Sequence, residues 1–253
     1  MGIFDGKVTL VTGATSGMGL VTAVAFAEQG AKSVICGRRE AEGAQAVRRI
    51  KQAGGEGMFI RCDVTKASDV EAMIKNIEAT YGRLDIAFNN AGVGAKYLPV
   101  EEQTEEEFDR VTAINLKGVW LCMKHEIPAI LRAGGGSIVN NSSVGGLIGL
   151  AGMAIYNATK HGVLGMTKSA AIDYAKKGIR INAVCPGIIR TETAESSMGG
   201  RDAVQKLGAT RHPIGRAGES EDVADAVLWL CSPQSSMLIG QSIALDGGRT
   251  ITG

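Results

Sequence analysis

Short β-rich runs alternate with helical patterns along this sequence of 253 residues. The first four β-rich runs are KVTLVT, SVIC, MFIRCD and LDIAFNN. Between them we expect helices at about residues 17–29, up to 53 and up to 81. This alternation is typical of parallel βαβ units, so the sequence predicts a layered α/β fold.

The second half continues the same alternation. We expect a long helix at 105–131, the strand SIVNNSS, a helix at 156–175, the strand IRINAVCP, a looser region at 192–218, a helix at 219–230 and the strand QSIALD. Seven strands and six crossovers predict a doubly wound, Rossmann-type three-layer sandwich: a seven-stranded parallel sheet with helices on both faces. No segment rich in Pro, Ser or charge divides the chain, so residues 1–253 are predicted to form one domain, with a substrate loop at about 192–218.

Charge and hydropathy exclude several kinds of partner. The 27 basic and 26 acidic residues give a net charge of +1, and they are scattered, so we expect no nucleic-acid partner. The amino terminus lacks a basic stretch followed by a long apolar run, and the most apolar segment, 144–155, is interrupted by glycines. It is shorter than the roughly 20 residues of a membrane span, so we expect no membrane partner.

Cysteines and histidines indicate reduced thiols and no metal. The five cysteines are an odd number, widely spaced among apolar residues, which favours reduced core thiols in a cytoplasm over a disulfide framework. His125, His161 and His212 have no metal-ligand spacing, and we interpret all three as structural or surface residues.

The segment TGATSGMG follows the first predicted strand and opens a helix. Glycines at positions 13, 17 and 19 would let backbone N–H groups approach a pyrophosphate at the positive helix end. A tight βα turn that needs glycine only for packing explains an isolated triplet equally well. The spacing departs from G-x-G-x-x-G, since Thr22 stands where the third glycine would follow.

With its TGxxxGxG spacing, the chain resembles the short-chain dehydrogenase/reductase family from end to end. The other positions that carry the resemblance follow in the family's order: Asp63, Asn89, Asn90, Ala91, Gly92, Asn115, Ser143, Tyr156, Lys160, Pro186, Gly187 and Thr191. The resemblance implies an oxidoreductase that transfers a hydride between a nicotinamide cofactor and a secondary alcohol or ketone.

The segment YNATK places Tyr156 and Lys160 four residues apart, on one face of a helix. A phenol has a pKa of about 10, and a unit charge ~5 Å away at an effective dielectric of ~20 favours phenolate by ~3 kcal/mol. The resemblance assigns Tyr156 as general acid and base, and Lys160 as the residue that lowers its pKa and holds the nicotinamide ribose. Alone, the pair would also fit a solvated ion and phenol on a helix surface.

Two further catalytic residues are implied by the resemblance. Ser143, at the end of a strand, would polarise the reacting carbonyl oxygen. Ser142, its rival, would face elsewhere because neighbouring strand residues point to opposite faces. Asn115 would loosen the long helix and anchor water in a proton relay to Lys160; otherwise it is a helix-surface amide.

The cofactor-binding residues are implied in the same way. Asp63 would bond the adenine amino group, and Val64 would pack against the ring. A turn or helix N-cap role is the competing explanation for Asp63, and both roles can hold together. Residues 186–191 would hold the nicotinamide carboxamide through backbone and threonine. The full predicted set is Gly13, Ser16, Gly17, Met18, Gly19, Arg38, Arg39, Asp63, Val64, Asn90, Ala91, Gly92, Tyr156, Lys160, Pro186, Gly187, Ile189 and Thr191.

Cofactor preference depends on SVICGRRE at the end of the second strand. NAD enzymes usually place a carboxylate there for the ribose 2′-hydroxyl, but this chain has Gly37, followed by two arginines, Arg38 and Arg39. A guanidinium can grip a 2′-phosphate, so NADP(H) is the predicted cofactor and NAD(H) the alternative. Arg38 is the better candidate, although Glu40 or Glu42 can swing toward the ribose instead.

Two alternatives for function and one expectation on assembly remain. A 3-oxoacyl-carrier-protein reductase would need a basic rim, for which Lys124, Arg132 and Lys168 are candidates. A non-catalytic nucleotide-sensing protein on the same fold is the other alternative. The resemblance and the apolar positions of two long helices predict a homotetramer. Candidates for an apolar substrate pocket wall are Ala95, Tyr97, Leu147, Met153 and Met198.

Overall fold

The computed structural model describes residues 2–252, with seven strands and nine α-helices in that range. The strands are β1 Val8–Thr12, β2 Lys32–Gly37, β3 Glu56–Arg61, β4 Ile86–Asn89, β5 Gly136–Asn141, β6 Ile179–Pro186 and β7 Ser242–Leu245. The helices are α1 Gly17–Glu28, α2 Glu40–Gln52, α3 Ala67–Tyr81, α4 Glu105–Thr112, α5 Gly118–Arg132, α6 Ala154–Tyr174, α7 Glu192–Met198, α8 Arg201–Arg211 and α9 Ser220–Cys231.

All seven strands join one parallel sheet in the order β3-β2-β1-β4-β5-β6-β7. The chain runs outward from β1 to β3 and then crosses back to β4, so the order reverses between β1 and β4. The predicted doubly wound, seven-stranded parallel sandwich is therefore confirmed. In such sheets a ligand binds beyond the carboxyl ends of the strands at the reversal, which places the site beside β1, β4 and β5.

Two apolar clusters, one on each face of the sheet, form the core. Neighbouring residues of β1 divide between them because strand side chains alternate. Leu10 packs in the cluster that contains Ile77 of α3 and Ile130 of α5. Val11 packs on the other face, in the cluster that contains Phe26 of α1. Both faces of the sheet are covered by helices, as the predicted doubly wound fold requires.

Residues 192–218 differ from the predicted looser region, because α7 and α8 occupy most of it. Thr191 caps α7 by accepting a hydrogen bond from the Ala194 N–H (3.1 Å), which starts a helix that the sequence pattern did not reveal. Gly199 and Gly200 have φ of 90° and 105°, which ends α7 and turns the chain into α8. Few apolar residues mark these helices, so their periodicity is weak.

The predicted long helix at 105–131 is continuous but not uniform. A π-helical turn, Ala113–Lys117, joins α4 to α5, and the Gly118 N–H bonds the carbonyl oxygen of Ala113 five residues earlier. Between residues 2 and 252, none of the helices is both long enough and apolar enough to cross a membrane.

Candidate active site

The glycine loop after β1 lies directly against the segment after β4. Gly13 has a φ of 65°, and a Cβ placed there would lie 2.7 Å from the Ala91 Cα. A Cβ at Gly19 would lie 2.5 Å from the Asn90 Nδ2. Both distances are shorter than real Cβ contacts, so any larger residue would push the two segments apart. The glycines let the loop and the 90–92 segment form one compact wall of the site.

The amino terminus of α1 fits an anion. Ser16 is the N-cap residue but makes no side-chain capping bond, and the first turn of α1 contains no acidic residue. The first N–H groups of a helix have no partner within it, and they carry partial positive charge. These donors are consistent with binding of the cofactor's pyrophosphate by residues 16–19.

A hydrogen-bond network around Thr12 joins the glycine loop to the segment after β4. The Thr12 Oγ1 accepts hydrogen bonds from the N–H groups of Asn90 and Ala91, each at 3.0 Å. The Asn90 amide donates in return to the carbonyl oxygens of Thr12 (3.0 Å) and Gly13 (3.2 Å). Asn141 of β5 donates to the Asn90 Oδ1 (3.1 Å). Thr12 and Asn141 are absent from the predicted site, since these bonds join residues that are far apart in sequence.

Tyr156 and Lys160 lie in the first half of α6, as predicted. The Lys160 Nζ is 5.6 Å from the centroid of the Tyr156 ring, and it donates a 2.8 Å hydrogen bond to the carbonyl oxygen of Asn141. Burial lowers the pKa of Lys160 to about 8, because the ammonium loses its hydration. The two side chains are thus close enough for their charges to influence each other.

The pKa of Tyr156 is raised above its ordinary value, which contradicts the lowering expected from Lys160 alone. Burial of the phenol is the largest cause of the rise, whereas a hydrogen bond with the Ser143 side chain lowers the pKa. Desolvation disfavours the charged phenolate. It also lowers the pKa of Lys160 to about 8, so Lys160 loses its positive charge before a phenol with a raised pKa would ionise. Lys160 lies near the Tyr156 ring, as expected, and burial of the phenol is what raises its pKa.

Ser142 and Ser143 follow the end of β5 and have separate partners. The Ser142 hydroxyl donates to the carbonyl oxygen of Lys160 (2.9 Å), so it supports α6 from below. The Ser143 Oγ accepts from the Gly145 N–H (3.1 Å) and is the serine that interacts with Tyr156. Neither residue lies in the strand itself, since β5 ends at Asn141.

Asn115 lies in the π-helical turn and is fully buried. Its Oδ1 accepts from the Val93 N–H and its Nδ2 donates to the Val93 carbonyl oxygen, both at 2.8 Å. A Cβ at Gly92 would lie 3.3 Å from the Asn115 Oδ1 and 3.7 Å from the Lys160 Nζ, so the two side chains converge on Gly92. The surface-amide alternative for Asn115 is therefore wrong.

Residues 186–191 leave the end of β6 and run beside the glycine loop. A Cβ at Gly17 would lie 3.4 Å from the Thr191 side chain, which shows how close the two segments come. Ile188 and Arg190 both pair with Gly218: the Gly218 N–H donates to the Ile188 oxygen (2.9 Å), and the Arg190 N–H donates to the Gly218 oxygen (2.8 Å). In a parallel pairing of this kind, the N–H and C=O of the residue between them, Ile189, point to the other side.

At the far end of the candidate site, Asp63 forms a turn. Its Oδ1 accepts from the Thr65 N–H (3.1 Å) and from the Thr65 hydroxyl (2.8 Å). These bonds and the nearby charge of Arg38 hold the pKa of Asp63 below its usual range, although burial opposes them. Val64 is buried and packs against Gly118 of α5. The predicted turn role of Asp63 is present, and Lys66 rather than Asp63 is the N-cap of α3.

Arg38 and Arg39 are both exposed beside the glycine loop. The Arg39 Nη2 donates to the Thr15 hydroxyl (3.0 Å), and its Nη1 lies 3.2 Å from the Glu42 carboxylate. Glu42 is therefore engaged by Arg39, and Glu40 lies 3.7 Å from Arg61.

The candidates for a substrate wall separate into exposed and buried residues. Tyr97 is 70% exposed and lies close enough to Tyr156 to influence its pKa. Leu147 and Met198 are partly exposed, at 36% and 38%, whereas Met153, the N-cap residue of α6, is 6% exposed. Tyr97, which is exposed and close to Tyr156, can contact an apolar substrate.

The three basic residues considered for a carrier-protein reductase do not form a rim at this site. Arg132 ends α5 and bonds Glu78 of α3 (2.9 Å) at the opposite edge of the sheet. Lys168 lies twelve residues beyond Tyr156 on α6, or ~18 Å along the helix axis. Lys124 packs its Nζ 5.3 Å from the Trp120 ring centroid on the outer face of α5. The alternative of a 3-oxoacyl-carrier-protein reductase therefore lacks the basic rim that it required.

Comparison with known proteins gives matches over nearly the whole chain. A family model described as enoyl-(acyl carrier protein) reductase matches residues 13–250. A cyclohexanol dehydrogenase from Acinetobacter sp. is 41% identical over 251 residues, which cover 98% of this chain and 96% of the relative. A 3β-hydroxysteroid dehydrogenase from Mediterraneibacter gnavus is 38% identical, with 99% and 97% covered.

A solved structure matches just as completely. It is a variant of actinorhodin polyketide ketoreductase with NADPH, 33% identical to this chain, with a TM-score of 0.94 and complete coverage of both chains. A TM-score of 0.94 over complete chains shows that the two proteins share the fold.

Proposed function

Since the chain belongs to the short-chain dehydrogenase/reductase family, we propose that Tyr156 exchanges the proton of its reaction. The protein is an oxidoreductase of CH–OH and C=O groups, and it moves a hydride between a nicotinamide cofactor and a secondary alcohol or ketone. The observation that supports Tyr156 is its position: it lies beside Ser143 and Lys160 at the carboxyl ends of the strands, next to the glycine loop.

The proposed chemistry assigns one task to each side chain. A bound nicotinamide supplies or accepts the hydride at its C4 carbon. In reduction the Tyr156 hydroxyl donates a proton to the substrate oxygen, and in oxidation its phenolate removes the hydroxyl proton. The Ser143 hydroxyl donates a hydrogen bond to the same oxygen, where negative charge develops.

Lys160 supports this step in two ways. Its Nζ has three protons, of which one is used by the Asn141 oxygen, so two donors are left for the ribose hydroxyls. When protonated, it also favours phenolate at Tyr156. Asn115 holds Val93 and Gly92 beside Lys160. In the proposed proton relay, a water anchored by Asn115 would connect Lys160 to solvent.

The cofactor would be held along the carboxyl edge of the sheet. Residues 13 and 16–19 would bind the pyrophosphate, Asp63 and Val64 the adenine, Asn90, Ala91 and Gly92 the adenosine ribose side, and 186–191 the carboxamide. Arg38 and Arg39 are exposed at the end of β2, where they would lie near the ribose 2′ position, and residue 37 is a glycine and not a carboxylate, so we infer that NADP(H) is preferred to NAD(H).

The substrate proposed is an apolar, ring-bearing secondary alcohol or ketone. Two relatives are named for cyclohexanol and for a 3β-hydroxysteroid, and the exposed ring of Tyr97 lies close to Tyr156. A ring would contact Tyr97 and Leu147, and α7 with Met198 would lie over it. These contacts give affinity by apolar burial and leave Tyr156 to recognise the single oxygen.

Assembly and location complete the proposal. Between α5 and α6 lies an outer groove of about 370 Å³, lined by apolar residues that include Met123, Ile127 and Met166, and Trp120 there is 44% exposed. An apolar groove on the outer face of these two helices would be buried between copies of the chain, and its presence supports the proposed homotetramer. Light scattering that gave the monomer mass of 26.3 kDa at micromolar concentration would refute the tetramer.

The five cysteines are all free and buried, which supports a cytoplasmic setting.

The test of the activity is a spectrophotometric assay of nicotinamide reduction and oxidation with both cofactors. We expect turnover with cyclohexanol, cyclohexanone and a 3β-hydroxysteroid, and much weaker turnover with a 3-oxoacyl thioester. Faster turnover of the thioester than of all cyclic substrates would overturn the proposed substrate class. Unchanged turnover in Tyr156→Phe would overturn the proposed acid and base.

A further inference from the structure

Among the histidines, His212 is almost completely buried, with 4% of its surface exposed, and it contacts the nicotinamide-side segment 187–190. Its Nε2 accepts a 3.0 Å hydrogen bond from the Ile188 N–H. Its Nδ1 lies 2.9 Å from the carbonyl oxygen of Arg216. Because a backbone N–H can only donate, Nε2 carries no proton, and the proton is on Nδ1, which donates to Arg216.

Three hydrogen bonds tie segment 187–190 to residues 212–218. Two of them are backbone bonds with Gly218: the Arg190 N–H donates to the Gly218 carbonyl oxygen, and the Gly218 N–H donates to the Ile188 carbonyl oxygen. The third is the bond from Ile188 to the His212 ring, the one contribution of a side chain in this set. The ring is also tightly packed, since a Cβ at Gly187 would lie 2.6 Å from the His212 Nε2.

The position of His212 in the chain gives this contact its importance. Thr191 caps the start of α7, and His212 directly follows the last residue of α8. The two helices therefore leave the nicotinamide-side segment at one end and return to it at the other, where His212 closes the loop. One side chain thus connects the segment that would hold the carboxamide to the helices that would lie over the substrate.

We propose that His212 is a positioning residue, which fixes the Ile188 N–H so that Ile189 and Thr191 are aligned for the nicotinamide end of the cofactor. This inference rests on the proposed cofactor site. Both ring nitrogens are occupied by backbone groups, so His212 takes no part in proton transfer to the substrate. Its contribution is to nicotinamide affinity and alignment, with no contact to the adenosine end.

The matched variants are His212→Gln and His212→Asn. The Gln oxygen reaches the position of Nε2 and can accept from Ile188, whereas the shorter Asn amide reaches only the position of Nδ1 and leaves the Ile188 N–H without a partner. We expect His212→Asn to raise the Kd for NADPH by about tenfold or more, which corresponds to about 1.4 kcal/mol. His212→Gln should stay within about threefold of wild type, a change of less than 0.7 kcal/mol on the same scale.

A second ligand separates alignment from general damage. 2′,5′-ADP contains the adenosine end without nicotinamide, so its Kd should be the same in wild type and both variants. Equal weakening of NADPH and 2′,5′-ADP in His212→Asn would overturn the proposal, and so would unchanged NADPH affinity. If wild-type protein itself binds no nicotinamide cofactor and has no turnover, the proposed function fails instead, which is a distinguishable result.

The tautomer offers a check that does not depend on either variant's affinity. With three histidines in the chain, ¹⁵N-histidine labelling gives few ring signals, and the His212→Gln spectrum identifies the signal of interest. We expect an unprotonated Nε2 and a protonated Nδ1 for His212 at neutral pH. A proton on Nε2 would overturn the proposal even if His212→Asn did not fold, because Nε2 could then not accept from Ile188.

Discussion

Lys160 is held by the main chain of Asn141, the last residue of β5, through a 2.8 Å hydrogen bond from Nζ to the carbonyl oxygen. The strand that ends beside Ser143 therefore also fixes the lysine of α6. Burial brings the pKa of Lys160 to about 8, so its charge changes within an accessible pH range.

The first prediction is that cofactor affinity depends on this titration. Lys160 is charged below a pH of about 8 and neutral above it, and an anionic cofactor binds better to the charged form. The Kd for NADPH in wild type should rise with pH above 8, by up to about tenfold per pH unit. Fluorescence titration from pH 6.5 to 9.5 measures it, and Lys160→Met is the control, with a Kd independent of pH. Parallel curves for the two proteins would contradict the assigned role.

The second prediction concerns Tyr156→Phe. Loss of the hydroxyl removes the proton donor and acceptor but keeps the ring, so turnover should fall by at least ~100-fold while NADPH affinity stays near normal. Tyr174→Phe is the control, since Tyr174 ends the same helix and packs under Lys177 away from the site. Steady-state kinetics and cofactor titration of both variants check this. Similar losses in both would mean that the effect comes from α6 and not from the phenol.

The third prediction tests Asn115. In Asn115→Ala the Val93 N–H and C=O both lose their partner, which should cost about 1–3 kcal/mol in the free energy of unfolding. Turnover should fall as well, since Gly92 and Lys160 adjoin the same amide. Asn76→Ala is the control, because Asn76 is exposed on α3 and bonds only Thr80 among the described contacts. Denaturant unfolding together with kinetics measures both effects, and wild-type values for Asn115→Ala would refute the structural assignment.

Several features of the site follow from sequence because they are local. The helical spacing of Tyr156 and Lys160 places both on one face, and the glycine spacing after β1 predicts close backbone approach. Contacts between distant segments leave no periodic signal: Thr12 bonds Asn90 across 78 positions, and His212 bonds Ile188 across 24. For this reason neither Thr12 nor His212 was among the predicted site residues.

Two expectations failed for related physical reasons. The direction in which the pKa of Tyr156 shifts depends on how completely the phenol is buried. Burial is a property of the folded chain, and it cannot be predicted from the spacing of two charged residues in the sequence. The helices α7 and α8 have few buried residues, Val204 and Gly208 among them, so amphipathic periodicity is faint. Helix caps at Thr191 and the glycine pair after Met198 define them instead.

The fourth prediction uses a buried carboxyl group outside the site. Glu126 of α5 is fully buried, accepts a 3.0 Å hydrogen bond from the Asn89 amide, and has its other oxygen unpartnered among the described residues. Burial raises the pKa of Glu126 from 4.5 to about 8, so it keeps its proton in the folded protein at neutral pH. Asn89 immediately precedes Asn90, so this carboxyl group supports the wall of the site from within the core.

A raised pKa in the folded state means that the stability from Glu126 is complete below pH 4.5 and is lost as pH rises toward 8. The free energy of unfolding should fall by up to about 1.4 kcal/mol per pH unit in that window. Glu126→Gln has no proton to lose, so its Tm relative to wild type should increase from pH 5 to pH 8 and then level off. Thermal melts across this range that stay parallel would contradict a protonated Glu126.

The last prediction separates the two arginines beside the glycine loop. Arg39 is engaged by the Thr15 hydroxyl and by Glu42, whereas the only interaction described for Arg38 is its charge acting on Asp63, so its guanidinium is the one left for a 2′-phosphate. A lost charge-assisted bond should reduce kcat/KM with NADP(H) by about 10- to 100-fold in Arg38→Ala, with little change for NAD(H). Arg39→Ala, which breaks the contact with Thr15, should affect both cofactors more equally, because the glycine loop binds the pyrophosphate that they share. Steady-state kinetics of wild type and the two variants with both cofactors decide the matter: a wild type that favours NAD(H), or an Arg38→Ala variant without a selective loss, would show that the assignment of Arg38 is wrong.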